Sequence, residues 1–264
     1  MTPENPKTQF LVGKNGVRIA YHYTPGEGPG VMFLTGFKSD MTGSKALMLE
    51  DHCRRQGRAF LRFDYQGHGE SSGKFEDGSI GQWAEDAIFA LDEIVKGPQI
   101  LVGSSMGGWI MLLTALQRKD RIAGLLGLAA APDFTENLIW DAFDDEQRAA
   151  LARDGRVAIP NCYDDEPYYI TQGLIEDGRR HLLLRGAIEL DVPVRLIQGM
   201  VDEDVPWRTA LETAECLVTD DVEVQLVKDS GHRLSAEHDL ARLCDTLDSL
   251  LEHIKRGGIH AAPA

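Results

Sequence analysis

The stretch Gln99-Ile100-Leu101-Val102-Gly103-Ser104-Ser105-Met106-Gly107-Gly108-Trp109 sets Ser105 between two glycines at the end of an apolar run. It reads as a buried strand, a very tight reversal and the start of a helix. Such a turn forces the serine into a strained backbone conformation and holds its hydroxyl above the sheet edge. Only glycine fits two positions away on either side, which Gly103 and Gly107 satisfy. Met106 opens the helix, so its N–H lacks an intrahelical partner and faces the same space, where it can stabilise an oxyanion.

The bare Gly-x-Ser-x-Gly pattern is weak, and the chain carries its own decoy in Gly69-Glu70-Ser71-Ser72-Gly73. The decoy sits in a polar stretch without a strand directly before it or a helix after it. Beyond Ser105, by contrast, Trp109, Ile110, Leu112, Leu113 and Leu116 begin a buried helix. Ser104 is excluded because Val102 and Met106 flank it at the positions the turn needs small.

Around this turn the chain has the rhythm of a parallel, doubly wound sheet. Residues 1–9 read as a loose polar arm, and Val17 to Thr24 as an early strand. VMFLTG from Val31 is a buried strand, followed by a helix over Ala46 to Arg55 and a strand over residues 59–65. Ser79 and Gln82 have capping-box spacing ahead of a helix burying Trp83, Ile88, Leu91, Ile94 and Val95. After the Ser105 helix come strands over residues 121–132, 191–200 and 222–227, a helix from Pro206 to Leu217, and a final helix from about Ser235 to Gly257-Gly258. Residues 134 to about 190 break the rhythm and are too long for a connection. They read as a mostly helical cap inserted into a single domain spanning 1–264, in which some of Trp140, Phe143, Tyr163, Tyr168 and Tyr169 line a pocket and the rest pack the cap itself. The acidic runs Asp144-Asp145-Glu146 and Asp164-Asp165-Glu166 read as solvated helix faces.

A chain of 264 residues can bury a sizeable core. With 27 basic and 42 acidic side chains its net charge is −15, which opposes binding to nucleic acid or anionic membranes. No run is long enough for membrane insertion, and the first ten residues, MTPENPKTQF, lack a signal or transit pattern, so a cytoplasmic location is expected. Cys53, Cys162, Cys216 and Cys244 are widely spaced and read as free thiols, and neither a metal nor a cofactor is expected.

A serine hydroxyl needs a base within reach, and the base needs an orienting carboxylate. Asp202 follows the strand ending at Gly199, and His232 follows the next strand in the turn Ser230-Gly231-His232-Arg233. Glu203 and Asp204 adjoin Asp202, but alternation off the strand end favours Asp202. His68 lies in a glycine-rich turn ahead of the nucleophile, where a turn role suffices, and His22, His52, His181, His238, His253 and His260 lack a strand-end position. The loop after the early buried strand, Thr35-Gly36-Phe37, offers the Phe37 N–H as a second oxyanion donor beside Met106.

The elbow, together with TGFKSDMTGSKALMLE, RFDYQGHGESSG, RLIQGMVDEDVPW and SGHR, resembles the α/β-hydrolase serine hydrolases. Within them it is most similar to the abhydrolase-domain-containing protein 10 group of acyl-protein thioesterases. The resemblance covers most of the chain and is weakest in the cap. It implies an α/β-hydrolase fold with a mostly parallel eight-stranded sheet, helices on both faces and the inserted cap. It also implies hydrolysis of acyl thioesters or carboxylic esters, including S-acylated proteins and acyl glucuronides, with Ser105, Asp202 and His232 matching the triad. The chain departs from the common pattern in having Thr35-Gly36 and Gln198-Gly199 where His-Gly is frequent. A ligand sensor without catalysis, a serine peptidase and a cofactor-free peroxidase are alternative uses of the same fold and triad.

Overall fold

A computed structural model describes residues 7–13, 16–159 and 167–257. Cys162, Tyr163, the acidic run Asp164-Asp165-Glu166, Gly258 and His260 lie outside the described residues, as does the side chain of Tyr168.

Strands β1 (Gln9–Val12), β2 (Arg18–Thr24) and β3 (Glu27–Leu34) precede helix α1 (Ser44–Arg55). Strand β4 (Arg58–Phe63), helix α2 (Ile80–Ile94), strand β5 (Gln99–Ser104), helix α3 (Met106–Gln117) and strand β6 (Ile122–Leu128) follow. The cap then holds α4 (Asp145–Asp154), β7 (Arg156–Ile159), β8 (Tyr168–Thr171) and α5 (Gln172–Gly178). The chain returns through β9 (Val194–Gly199), α6 (Arg208–Cys216), β10 (Val222–Val227) and α7 (Glu237–Gly257).

Eight strands form one sheet in the order β1-β2-β4-β3-β5-β6-β9-β10. The pairs β1–β2 and β2–β4 are antiparallel, and every later pairing is parallel. The central strands read as continuous apolar runs because both of their faces are covered. Val31, Phe33, Ile100, Val102, Leu126 and Leu128 pack with α1 and α7, while Met32, Leu34, Leu101 and Leu125 point the other way toward α2 and α3. Strand order reverses between β3 and β5, and the crevice at such a switch point is where ligands bind in open α/β sheets.

Two expectations need correction. The N-terminal arm ends in a strand: Gln9 to Val12 pair with β2, so residue 9 is not loose. The strand escapes a pattern-based reading because no face of it is buried; Phe10 is exposed and lies under the Arg18 guanidinium at 4.8 Å. The cap is not purely helical either. β7 and β8 form an antiparallel pair, four residues each, with Val157 and Ile170 buried. Strands this short carry too few alternations to be separated from loop.

The cap is fastened by buried acids that accept from backbone N–H groups. Asp133, fully buried and at φ +59°, accepts from Leu183 at 2.7 Å and Leu184 at 2.9 Å, and its burial pushes its carboxyl above the usual range. Asp177 accepts from Gly81 at 2.7 Å, and Trp109 donates its indole N–H to the His181 carbonyl at 3.0 Å. Asp144, in the first acidic run, caps α4 in a full capping box with Gln147, while Asp145 and Glu146 occupy the first helical turn, where negative charge suits the helix dipole.

Candidate active site

Ser105 joins β5 to α3 at φ +55° and ψ −122°, a region that non-glycine residues rarely occupy. The strain is held from both sides: Ser105 N–H donates to Leu128 O at 2.9 Å, and its carbonyl accepts from Gly108 and Ala131 at 2.8 and 3.0 Å. The flanking glycines are required sterically. A Cβ on Gly107 would lie 2.1 Å from Leu34 O, and one on Gly103 would lie 2.4 Å from Gly107 O, both backbone atoms that cannot step aside.

The acid and base loops close onto each other in the same way. A Cβ on Gly199 would sit 2.1 Å from Ser230 O, and Val201 N–H donates to that carbonyl at 3.2 Å. Ser230 Oγ in turn donates to Asp239 at the start of α7, at 2.6 Å. These contacts fix the spacing of residues 202 and 232. His232 Nδ1 lies 2.9 Å from Asp202 Oδ2 and its Nε2 lies 3.0 Å from Ser105 Oγ. An ionised carboxylate only accepts, so Nδ1 carries the proton and Nε2 is free to accept from the serine hydroxyl.

Asp202 is fully enclosed and receives four hydrogens. Oδ1 accepts from the N–H groups of Asp204 and Val205 at 2.9 and 2.8 Å, and Oδ2 accepts from Gln198 Nε2 at 2.8 Å as well as from His232. Asp202, Asp204 and His232 do bring possible metal-ligand atoms within 4.8 Å of one another. The saturated oxygens of Asp202 suit an orienting carboxylate better than a metal ligand. Asp204 instead lines the cavity above the triad.

Ser105, Met106, Gly36, Phe37 and His232 line one cavity of about 570 Å³. Gly36 runs beside the nucleophile, since a Cβ there would stand 3.4 Å from Ser105 Cβ, so the candidate oxyanion donors are Phe37, next to Gly36 in its loop, and Met106, at the start of α3. Phe134, Leu138, Ile139 and Ile159 make the cap's apolar wall. This differs from the expectation: among the described residues neither Trp140, Phe143 nor Tyr169 lines the cavity. Phe143 is buried, Trp140 carries the Arg148 and Arg179 guanidinium groups over its ring, and Tyr169 lies under Arg156. The lining residues Leu138 and Ile139 come from a π-helical turn, Thr135–Trp140, whose wider winding no apolar spacing announces.

Two further side chains reach the site without having been assigned a role from the sequence. Lys45 of α1 lines the cavity and donates to the carbonyl of Arg233, next to His232. Its burial, followed by the nearby Arg233 charge, lowers its amine to about 8. Gln198 is the second; the substitution of the more frequent histidine marks it in the sequence, but its contact with Asp202 is visible only in three dimensions.

The decoy serine and the loop histidine have structural roles. Ser71 Oγ accepts from Ala20 N–H at 2.8 Å and donates to Asp64 O at 2.7 Å. His68 is buried edge-on to the rings of Tyr65, Phe75 and Trp83, with Nδ1 3.2 Å from Gln66 O. Burial lowers its imidazole to about 4 from an ordinary 6.5. The unfolded chain therefore takes up a proton between those values and the folded chain does not, so this histidine withdraws stability as pH falls from 6.5 to 4. Nearby Asp86, raised by burial to about 6, acts in the opposite sense over an overlapping range. His68→Phe should thus lose less stability than the unsubstituted protein between pH 7 and pH 4, by up to about 3 kcal/mol in urea unfolding. Equal losses in the two proteins would contradict this account.

The expected free thiols are observed for Cys53 and Cys244, which are buried, and for half-buried Cys216. Burial raises the Cys53 thiol to about 12, so it is chemically quiet.

Residues 31–159 match the family Hydrolase_4, described as serine aminopeptidase, S33. The palmitoyl-protein thioesterase ABHD10, mitochondrial, of Rattus norvegicus is 39% identical over 237 residues, covering 89% of this chain and 80% of that protein. Its name runs against the cytoplasmic location expected from the N-terminal residues. The crystal structure of a putative hydrolase from Agrobacterium vitis S4 superposes with a TM-score of 0.89 at 39% identity, covering 92% of this chain and 98% of the other. The α/β hydrolase domain-containing protein 10 from mouse superposes with a TM-score of 0.88 at 36% identity, covering 94% and 99%. With that likeness covering most of the chain and most of these relatives, the chain belongs to the ABHD10 family of α/β-hydrolases.

Proposed function

We propose that the protein is a serine hydrolase that cleaves acyl thioesters, among them S-acylated proteins, and related carboxylic esters. The observation that carries this reading is the unbroken relay from Asp202 through His232 to Ser105, at 2.9 and 3.0 Å, opening into a cavity with an apolar wall. In the first step His232 Nε2 takes the hydroxyl proton as Ser105 Oγ attacks the acyl carbonyl. The N–H groups of Met106 and Phe37 receive the oxyanion, and Asp202 stabilises the imidazolium. His232 then protonates the departing thiol or alcohol, and a water molecule, deprotonated by the same imidazole, releases the acyl group from Ser105.

A sensor without catalysis has no use for a serine kept strained against the base. The peptidase description belongs to a family match ending at residue 159, before Asp202 and His232, whereas the thioesterase relatives span most of the chain. Among the described residues no helix is long and apolar enough to cross a membrane.

The test is a panel of acyl thioesters and esters of graded chain length. If Phe134, Leu138, Ile139 and Ile159 receive the acyl chain, each added CH₂ should improve kcat/KM by about fourfold, the equivalent of ~0.8 kcal/mol, until the cavity is full. A flat profile would exclude these residues as an acyl site. Stoichiometric labelling of Ser105 by a fluorophosphonate separates the enzyme from a sensor, since folded but unlabelled protein supports the latter.

A further inference from the structure

Gln198 is the penultimate residue of β9, its side chain fully buried, in a strand whose neighbouring residues Leu196 and Ile197 are core aliphatics. Its Nε2 reaches two acceptors, Asp202 Oδ2 at 2.8 Å and Val205 O at 3.1 Å. Those partners decide the orientation of the amide: turned over, its oxygen would face a carboxylate and a carbonyl, both of which repel it. The consequence is that Oε1 is buried and meets no donor among the described residues. An acceptor left without a donor in the interior destabilises the fold, and an aliphatic side chain here would avoid it. The amide is therefore poorly explained by stability and well explained by what its other end does.

We infer that Gln198 is a positioning residue for the acid of the relay, an inference that rests on the reading of Ser105, His232 and Asp202 as a triad. The two backbone N–H groups from Asp204 and Val205 fix Oδ1 only, leaving the carboxylate able to rock about that end. The Gln198 N–H takes one lone pair of Oδ2 and leaves the other aimed at His232 Nδ1. The carbonyl of Val205 holds the second amide hydrogen, so the donor is itself anchored. A neutral donor suits this place better than a cation. It satisfies the enclosed carboxylate without cancelling the charge that must stabilise the imidazolium in the transition state. Gln198 touches neither substrate nor reacting atoms in this account; it acts through Asp202.

The experiment compares Q198M, Q198E and Q198H with the unsubstituted enzyme and with S105A, reading kcat, KM, melting temperature and the low-field proton resonance of the His232–Asp202 hydrogen bond. Losing one hydrogen bond to a charged group should lower kcat in Q198M about ten- to a hundredfold. KM and melting temperature should stay close to the unsubstituted values, and the low-field resonance should shift or broaden. Q198H, which can return an N–H, should recover part of kcat. Q198E places a second carboxylate against Asp202 and should lower kcat at least as far as Q198M, which keeps the question answerable if Q198M does not fold. Unsubstituted kcat with an unmoved resonance in Q198M, or unsubstituted kcat in Q198E, overturns the inference while an inactive S105A leaves the triad standing. An S105A enzyme that still turns over would instead remove the triad reading on which the inference rests.

Discussion

Ser105→Ala lowers turnover of a good thioester substrate about a millionfold, if the three residues act as a unit in the way other triads do. The reason the effect should be this large is that Ser105 is the hydroxyl paired with the base. The Oγ is the atom His232 Nε2 addresses at 3.0 Å, and the neighbouring Ser104 hydroxyl belongs to the strand rather than the elbow. The substitution should leave the fold in place. Alanine meets the same φ of +55° that serine already tolerates, and the bonds holding the turn, to Leu128 O and from Gly108 and Ala131, are backbone to backbone. Residual rate over water is expected from the oxyanion donors and substrate binding alone. The checks are single-turnover kinetics with purified S105A, its failure to take up a fluorophosphonate, and a melting curve matching that of the unsubstituted protein. Hydrolysis within tenfold of the unsubstituted rate would show that the nucleophile lies elsewhere.

Asp202→Asn should lower kcat about ten-thousandfold through a proton in the wrong place. The two backbone N–H groups on Oδ1 demand an acceptor there, so an asparagine must put its carbonyl oxygen at that position and its NH₂ where Oδ2 now stands. That NH₂ then faces His232 Nδ1, which can only accept from it, and the ring proton moves to Nε2. An Nε2–H cannot accept the Ser105 proton. The same NH₂ also opposes the Gln198 amide hydrogen, a second mismatch in a fully enclosed place. Binding of a non-hydrolysed substrate analogue should be little changed, because Asp202 does not line the cavity. A loss of less than tenfold in kcat would mean that Asp202 does not orient the base, and Glu203 or Asp204 would become the acids to test.

The two substitutions probe residues that were readable in the sequence for different reasons. Ser105 stands out because a strand-to-helix reversal needs glycines at fixed spacing, and Gly103 and Gly107 supply them against backbone contacts of 2.4 and 2.1 Å. Asp202 and His232 stand out because each follows a strand closely, the first apolar and the second alternating, and parallel strands end at the same edge of the sheet. β9 and β10 pair in register from Val194↔Val222 to Gly199↔Val227, which delivers the two loops side by side. The decoy serine is equally instructive. Ser71 shares the local pattern but lies in the turn that ties β2 to the loop after β4, and its hydroxyl is used up in backbone bonds.

Local sequence by itself therefore determined the strands with two buried faces, the helices that cover them, the strained turn and the order of the three triad residues, because all of these follow from apolar periodicity and steric exclusion within a few positions. Only the tertiary structure decided which side chains wall the cavity, that β1 and the β7–β8 pair exist, and that Gln198 and Lys45 serve the acid and base loops. These depend on contacts between segments distant along the chain, on a π-helical turn and on short or exposed strands, none of which leaves a periodic trace in the residues themselves.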